Sequence, residues 1–187
     1  MSDEQDIPGA ESPEEFGQVT EPGTFRIKRM LPGPIERLWT YITDPEKRQK
    51  WFGAGPMEMR LGGRVELQFR FSQLSSEKTP PGEADECDLH GRVTRWEPPR
   101  LLSYTWGEES NPSEVTFELF PRGREVLLVI THRRLGERGR MIRVASGWHT
   151  HLGLLSDHLN KVAARPFWST RARMMAEYEQ RISGAEI

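Results

Sequence analysis

The strongest periodic signal in the chain is the row Met141, Ala145, Trp148, Leu152, Leu155, Leu159 and Val162, whose steps alternate between four and three. That spacing is the helical period, so a long helix is predicted here, with Arg143, Asp157 and Lys161 on the opposite face. Burial of each large apolar member contributes about 1.5–3 kcal/mol, most of it offset by conformational entropy. Ahead of it the period is two. Val65, Leu67, Phe69 and Phe71 alternate with Glu66, Gln68 and Arg70, which predicts a strand with one buried face. Thr24–Leu31 alternates from Phe25 and Ile27, loosening at Met30, and segments 88–96, 101–106, 115–120 and 125–133 give four more strands. Connections at Pro98-Pro99, 107–112 and 121–123 are short, so consecutive strands become antiparallel neighbours.

Two short helices are predicted between the first strand and the rest. Pro34 suits a first helical turn, and Ile35, Leu38 and Ile42 recur at helical spacing beside Trp39. Asp44-Pro45 then stops that helix and caps a second, which brings Trp51-Phe52 to the edge of the core before Gly53, Gly55 and Pro56. Segment 72–86, with Pro-Pro-Gly and scattered acids, is expected to be a mobile hairpin loop. Beyond Pro166, the residues Met174, Met175, Tyr178 and Ile182 predict a shorter helix with a weaker stripe. The expected class is α+β: a curved antiparallel sheet of about six strands, two short N-terminal helices and one long C-terminal helix.

Charge divides the chain. Residues 1–22 hold seven acids and no Lys or Arg, so all 26 basic residues lie beyond them, against 21 acids. A disordered acidic tail is expected over 1–22, one domain over 23–165, and a helical extension over 166–187. A body so near charge balance is a poor nucleic-acid binder. The single cysteine, Cys87, cannot form an internal disulfide, no apolar run reaches bilayer length, and the acidic start lacks signal-peptide regions; a cytoplasmic protein without a membrane span is expected.

The order of elements and several local segments resemble the helix-grip superfamily known as START-like or SRPBCC. Within it the chain is similar to the family named after the C-terminal domain of the activator of heat-shock-protein-90 ATPase. The pieces are Pro34–Trp39, Thr43–Glu46 with Trp51, Gly62-Gly63, Gly91–Val93, Pro99–Trp106, Val115–Leu119, Thr131-His132, and Gly147-Trp148 with Leu152, spread over residues 24–165. The resemblance implies a cavity between sheet and long helix, or a co-chaperone-like partner-binding role. The acidic tail and the stretch beyond Arg165 depart from the family pattern.

Candidate chemistry is thin. His149, His151 and His158 lie two, seven and nine apart, not the three or four that pairs metal ligands on a helix, so no metal or other cofactor is expected. Acidic neighbours of Cys87 (Asp85, Glu86, Asp88) oppose thiolate formation. There is no G-x-S-x-G elbow and no phosphate loop. Cyclase or hydratase relatives place polar groups in the cavity, and here His132, Glu118 and Tyr104 are the candidates. If Val115, Phe117 and Leu119 face inward, Glu118 faces water, whereas His132 shares the phase of Val126, Leu128 and Ile130. Arg133, Arg134, Arg138, Arg140 and Arg143 form either a solvated loop or a cationic rim for the anionic group of an amphiphile.

The aromatics carry the most information. Phe69, Phe71, Tyr104, Trp106, Phe117 and Trp148 all fall on elements that bound the cup, either filling it or lining a pocket. The site expected is a ligand-binding one: Phe69, Tyr104, Trp106, Phe117 and His132 from the sheet, with Trp148, Leu152 and Leu155 as the helical wall. The favoured function is non-enzymatic binding of a small hydrophobic or amphiphilic molecule. A protein-interaction module and a cavity enzyme of cyclase or hydratase type remain as alternatives.

Overall fold

The computed structural model describes residues 15–107 and 109–184. A seven-stranded antiparallel sheet, ordered β1-β2-β7-β6-β5-β4-β3, curves around a long helix. Its strands are β1 (Gln18–Glu21), β2 (Thr24–Pro32), β3 (Arg64–Arg70), β4 (Glu86–Glu97), β5 (Leu101–Trp106), β6 (Ser113–Arg122) and β7 (Glu125–Arg133). The helices are α1 (Ile35–Thr43), α2 (Pro45–Arg48), α3 (Arg138–Leu159) and α4 (Phe167–Arg181). The α+β order expected from the periodicities, and the helix-grip arrangement that the resemblance implies, are therefore present.

The alternation places one row of each strand against α3. Val115, Phe117 and Leu119 of β6, with Val126, Leu128, Ile130 and His132 of β7, are buried on that face, and Val115 stands opposite His132 in the ladder. Glu118 is only half-buried and out of phase with this row, so it drops out as a cavity group. On β2 the inward row is Phe25, Ile27, Arg29 and Leu31. Arg29 is the polar member of that row, and its guanidinium donates to the carbonyls of Glu15 and Lys28.

At the α1–α2 junction Asp44 does what its type predicts: its Oδ1 accepts from the backbone N–H of Glu46 and Lys47 at 2.9 and 3.0 Å. Arg48 is then fully buried and donates only to carbonyls, those of Ile42, Thr43, Gly53 and Gly55. This buried cation folds the 53–55 loop back over α2. Burial pulls its pKa below the ordinary arginine value, while Tyr104 and Asp44 oppose that effect.

Four expectations need correction. The ordered chain begins before residue 23, because β1 adds a seventh strand that pairs with β2 through a turn at Gly23 (φ 71°). Phe16 and Gly17 are also docked: the Gly17 N–H donates to the Tyr178 hydroxyl at 2.9 Å, and the Phe16 ring lies 4.9 Å from the His149 ring. Acidic composition averaged over 22 residues conceals this short segment; the part of the expected tail at 1–14 lies outside the described residues. Second, segment 72–86 is not a free hairpin. Leu74 is buried, Ser75 Oγ accepts from the Phe167 N–H at 3.1 Å, and Glu77 accepts from the Ser169 N–H at 3.1 Å.

Third, the stretch beyond Pro166 is an integral layer. Phe167, Trp168, Met174, Tyr178 and Ile182 are buried, and α4 covers the back of α3. The α3 helix is consequently buried almost all round from Ala145 to Leu155; of the residues expected on its polar face, Arg143 and Lys161 are exposed but Asp157 is not. Asp157 is buried and bound bidentately by the Arg165 side chain, at 2.8 Å to each oxygen. Fourth, α3 ends at Leu159, leaving Val162 58% exposed and Lys161 at φ 58°. The apolar row runs one step past the helix.

Candidate functional site

Between the N-terminal half of α3, the start of α4 and the β3–β4 end of the sheet lies a cavity of about 350 Å³. Six aromatic rings wall it: Phe52, Phe69, Phe71, Trp106, Trp148 and Phe167. Phe52 stacks on Trp148 with centroids 5.0 Å apart and planes 20° from parallel, and Phe71 stacks on Phe167 at 5.1 Å and 15°. Phe69 meets Phe52 edge-on at 4.9 Å. Trp106 closes the sheet side, 5.8 Å from Trp148 and 5.3 Å from His132. The rings thus fix one another in offset and edge-to-face contacts.

The elements present these rings for simple reasons. Phe69 and Cys87 are directly paired across β3 and β4, so both point to the cavity face. Phe52 follows α2 in a turn secured from two sides. The Trp51 indole N–H donates to the Tyr41 carbonyl at 2.9 Å, and the Trp51 carbonyl accepts from His151 Nδ1 at 2.7 Å. On α3, Val144, Gly147, Trp148 and His151 form the helical wall. A Cβ at Gly147 would meet nothing within 4 Å, so the glycine leaves open space there.

Two histidines line the floor, and their hydrogen bonds assign their tautomers. The Trp148 indole N–H donates to His132 Nδ1 at 3.1 Å, so the ring proton sits on Nε2, which donates to Ser113 Oγ at 3.0 Å. Burial, with the charges of Arg140 and Arg134, holds the His132 pKa down to about 3. His151 spends Nδ1–H on the Trp51 carbonyl, which leaves Nε2 a bare acceptor on a cavity residue. Burial holds it down to about 4, with the Trp51 hydrogen bond opposing and Arg171 adding to the depression. Both imidazoles are neutral at pH 7.

The mouth is cationic. Arg143 is exposed, and the Arg171 side chain is 24% exposed; both line the cavity. Arg171 lies 3.5 Å from Glu83 and over the Trp168 ring. Of the five clustered arginines, only Arg143 reaches the site. Arg134 donates to the Pro112 carbonyl, Arg138 to the carbonyls of Ile182 and Glu179, and Arg140 to Ser113 Oγ.

Of the residues expected at the site, Phe69, Trp106, His132 and Trp148 line the cavity. Tyr104, Phe117, Leu152 and Leu155 do not; they are buried in the core below it, where Phe117 packs edge-on against Trp148 at 5.5 Å. The core row of α3 and its cavity wall are adjacent stripes, turned by about one residue, and Trp148 belongs to both. Sequence reasoning missed Phe52, Phe167, Arg171 and the role of His151. The dipeptide Phe167-Trp168 directly after Pro166 was a usable signal for an anchored helix start.

The other histidines do not converge. His149 Nδ1 bonds the Tyr178 hydroxyl at 3.0 Å, and among the described residues no three His, Cys, Asp or Glu side chains group as a metal site. No helix among the described residues is long and apolar enough to cross a membrane.

Comparison with solved structures finds the same fold. The protein encoded by gene BPP1335 of Bordetella parapertussis, solved by solution NMR, is 39% identical, with 91% of this chain and 92% of that chain covered and a TM-score of 0.77. CalU16 from Micromonospora echinospora is 23% identical over 84% of this chain and 86% of that one, with a TM-score of 0.63. DynU16, from the dynemicin biosynthetic locus, is 20% identical over 74% of this chain and 47% of that one, at 0.58. A search of curated proteins finds no match. Residues 32–160 match the family described as activator of Hsp90 ATPase homolog 1-like protein, and the chain belongs to that family.

Proposed function

We propose that this protein binds a small hydrophobic or amphiphilic molecule in the aromatic cavity between α3, α4 and the β3–β4 end of the sheet. The observation that carries this reading is the cavity itself: about 350 Å³ walled by six aromatic rings, within the size range of small-molecule sites. A family of helix-grip domains suits a ligand-binding or regulatory role, and the cavity favours the former. Binding is favoured over catalysis because His132 has both ring nitrogens engaged, and His151 has one committed to a backbone carbonyl.

Native mass spectrometry of freshly purified protein tests the reading, together with tryptophan fluorescence titrations using fatty acids, isoprenoids and aromatic polyketides. A co-purified small molecule, or quenching that saturates with one of these classes, is expected. An unliganded mass combined with silence across the panel contradicts it.

A further inference from the structure

We infer that the cavity selects an aromatic anion, its ring system against the aromatic walls and its anionic group at the Arg143 and Arg171 guanidiniums. This rests on the binding role proposed above and adds the ligand's chemistry.

The walls choose rings over chains. Phe52 with Trp148, and Phe71 with Phe167, form two stacked, nearly parallel ring pairs, and Phe69 presents its edge to Phe52. Flat faces and edges with opposite quadrupole charge favour another ring over a flexible alkyl chain.

The mouth chooses the sign of charge. An aromatic box by itself would also suit a cation, held over the ring faces. Here two guanidiniums from different helices stand at the rim, and among the described residues no lining side chain carries a carboxylate. Arg143 has no hydrogen-bond or ion-pair partner for its side chain among the described residues. Arg171 has, among the described residues, the exposed Glu83 at 3.5 Å as its one ion-pair partner and the Trp168 ring beneath it. A cation is repelled from such a mouth, and an anion can engage planar donor forks that match carboxylate or phosphate oxygens. The burial gradient sets the ligand's direction: Phe52 and Trp148 are each 3% exposed at the inner end, whereas Arg143 lies at the surface. The ring therefore enters first and the charge remains at the mouth.

Isothermal titration calorimetry of the full chain tests this with four probes: 2-naphthoate, 2-naphthyl phosphate, methyl 2-naphthoate and decanoate. At least one naphthyl anion should bind about tenfold or more tighter than the neutral ester, with decanoate weaker than 2-naphthoate. The tighter of the two anions tells carboxylate from phosphate. Arg143→Gln and Arg171→Gln should each cost the anion about tenfold and leave the ester unchanged. Arg143→Gln is the decisive variant, since that side chain has no structural partner to lose. If the ester or decanoate binds as tightly as both naphthyl anions, or if Arg143→Gln binds the anion like wild type, the inference falls while the binding role stands. If none of the four probes binds, the inference falls, and the binding role is then decided by the native mass and the wider panel.

Discussion

The indole N–H of Trp148 donates to Nδ1 of His132 across 3.1 Å of buried interior. This bond ties α3 to the end of β7 and fixes the ring that is at once core and cavity wall. It also assigns His132 a positioning role, since its other nitrogen is held by Ser113.

His132→Ala should therefore destabilise the fold by more than its lost volume. An indole donor left buried without a partner costs about 1–3 kcal/mol. Urea denaturation of His132→Ala, Trp148→Phe and the double variant should give a coupling of about 0.5–3 kcal/mol. Strict additivity of the two single changes would show that the bond contributes nothing.

Three buried histidines make stability acid-sensitive. His132 and His149 are held down to about 3 and His151 to about 4, by burial in each case, against about 6.5 in the unfolded chain. Below about pH 6.5 the unfolded chain takes up protons that the folded one does not. Stability is thus fully present above that value and falls as pH drops from about 6.5 towards 4 and 3. Asp157 acts in the same direction: burial raises its pKa, but the Arg165 hydrogen bonds and charge outweigh that and hold it below the ordinary value. Urea midpoints measured at pH 7, 6 and 5 should fall steadily. A flat profile would mean that the histidines protonate in the folded state.

Gly147 separates stability from binding. It lies inside α3 with open space beyond it, so Gly147→Ala should stabilise by up to about 1 kcal/mol through helix propensity. Gly147→Leu should keep the fold and obstruct the cavity, weakening every ligand. Thermal unfolding and titration of the two variants read these effects apart. Unimpaired binding by Gly147→Leu would place the ligand elsewhere.

The clasp at the α3–α4 connection acts at a distance. Arg165 lies over Gly153, where a Cβ would fall 2.6 Å from its guanidinium, and it binds Asp157 through its side chain and its own N–H at 2.9 Å. Its neighbour Pro166 leads straight into Phe167, a cavity wall. Asp157→Ala should cost about 1–3 kcal/mol and loosen α4, weakening ligand binding although Asp157 touches no ligand. Wild-type affinity in a destabilised Asp157→Ala would show that α4 seats independently of the clasp.

Much of the fold was legible because its signals are local and strong. Asp44-Pro45 carries a cap and a first turn in adjacent residues, and the alternating row from Val65 to Phe69 specifies which face is buried. The site was legible only in part. Periodicity identifies the stripe facing the sheet, which selects Leu152 and Leu155, yet the cavity wall is the neighbouring stripe of Val144, Gly147 and His151. That offset arises because α4 and the loop before β4 close the cavity from the side, through contacts such as Phe167 with Ser75 that span 92 positions in sequence. No local pattern encodes so distant a contact. For the same reason Arg171 went unseen, while three of the five clustered arginines, Arg134, Arg138 and Arg140, proved to be engaged elsewhere.

Whether the ligand sits against Trp106 and Trp148 can be read from the indole N–H resonances in two-dimensional NMR. Trp39 and Trp96 pair with each other at 5.3 Å and do not line the cavity, so they serve as internal controls. Titration with 2-naphthoate should shift the Trp106 and Trp148 indole signals saturably and leave those of Trp39 and Trp96 in place. Shifts confined to Trp39 and Trp96, or no shift of Trp148 at saturating ligand, would contradict the account.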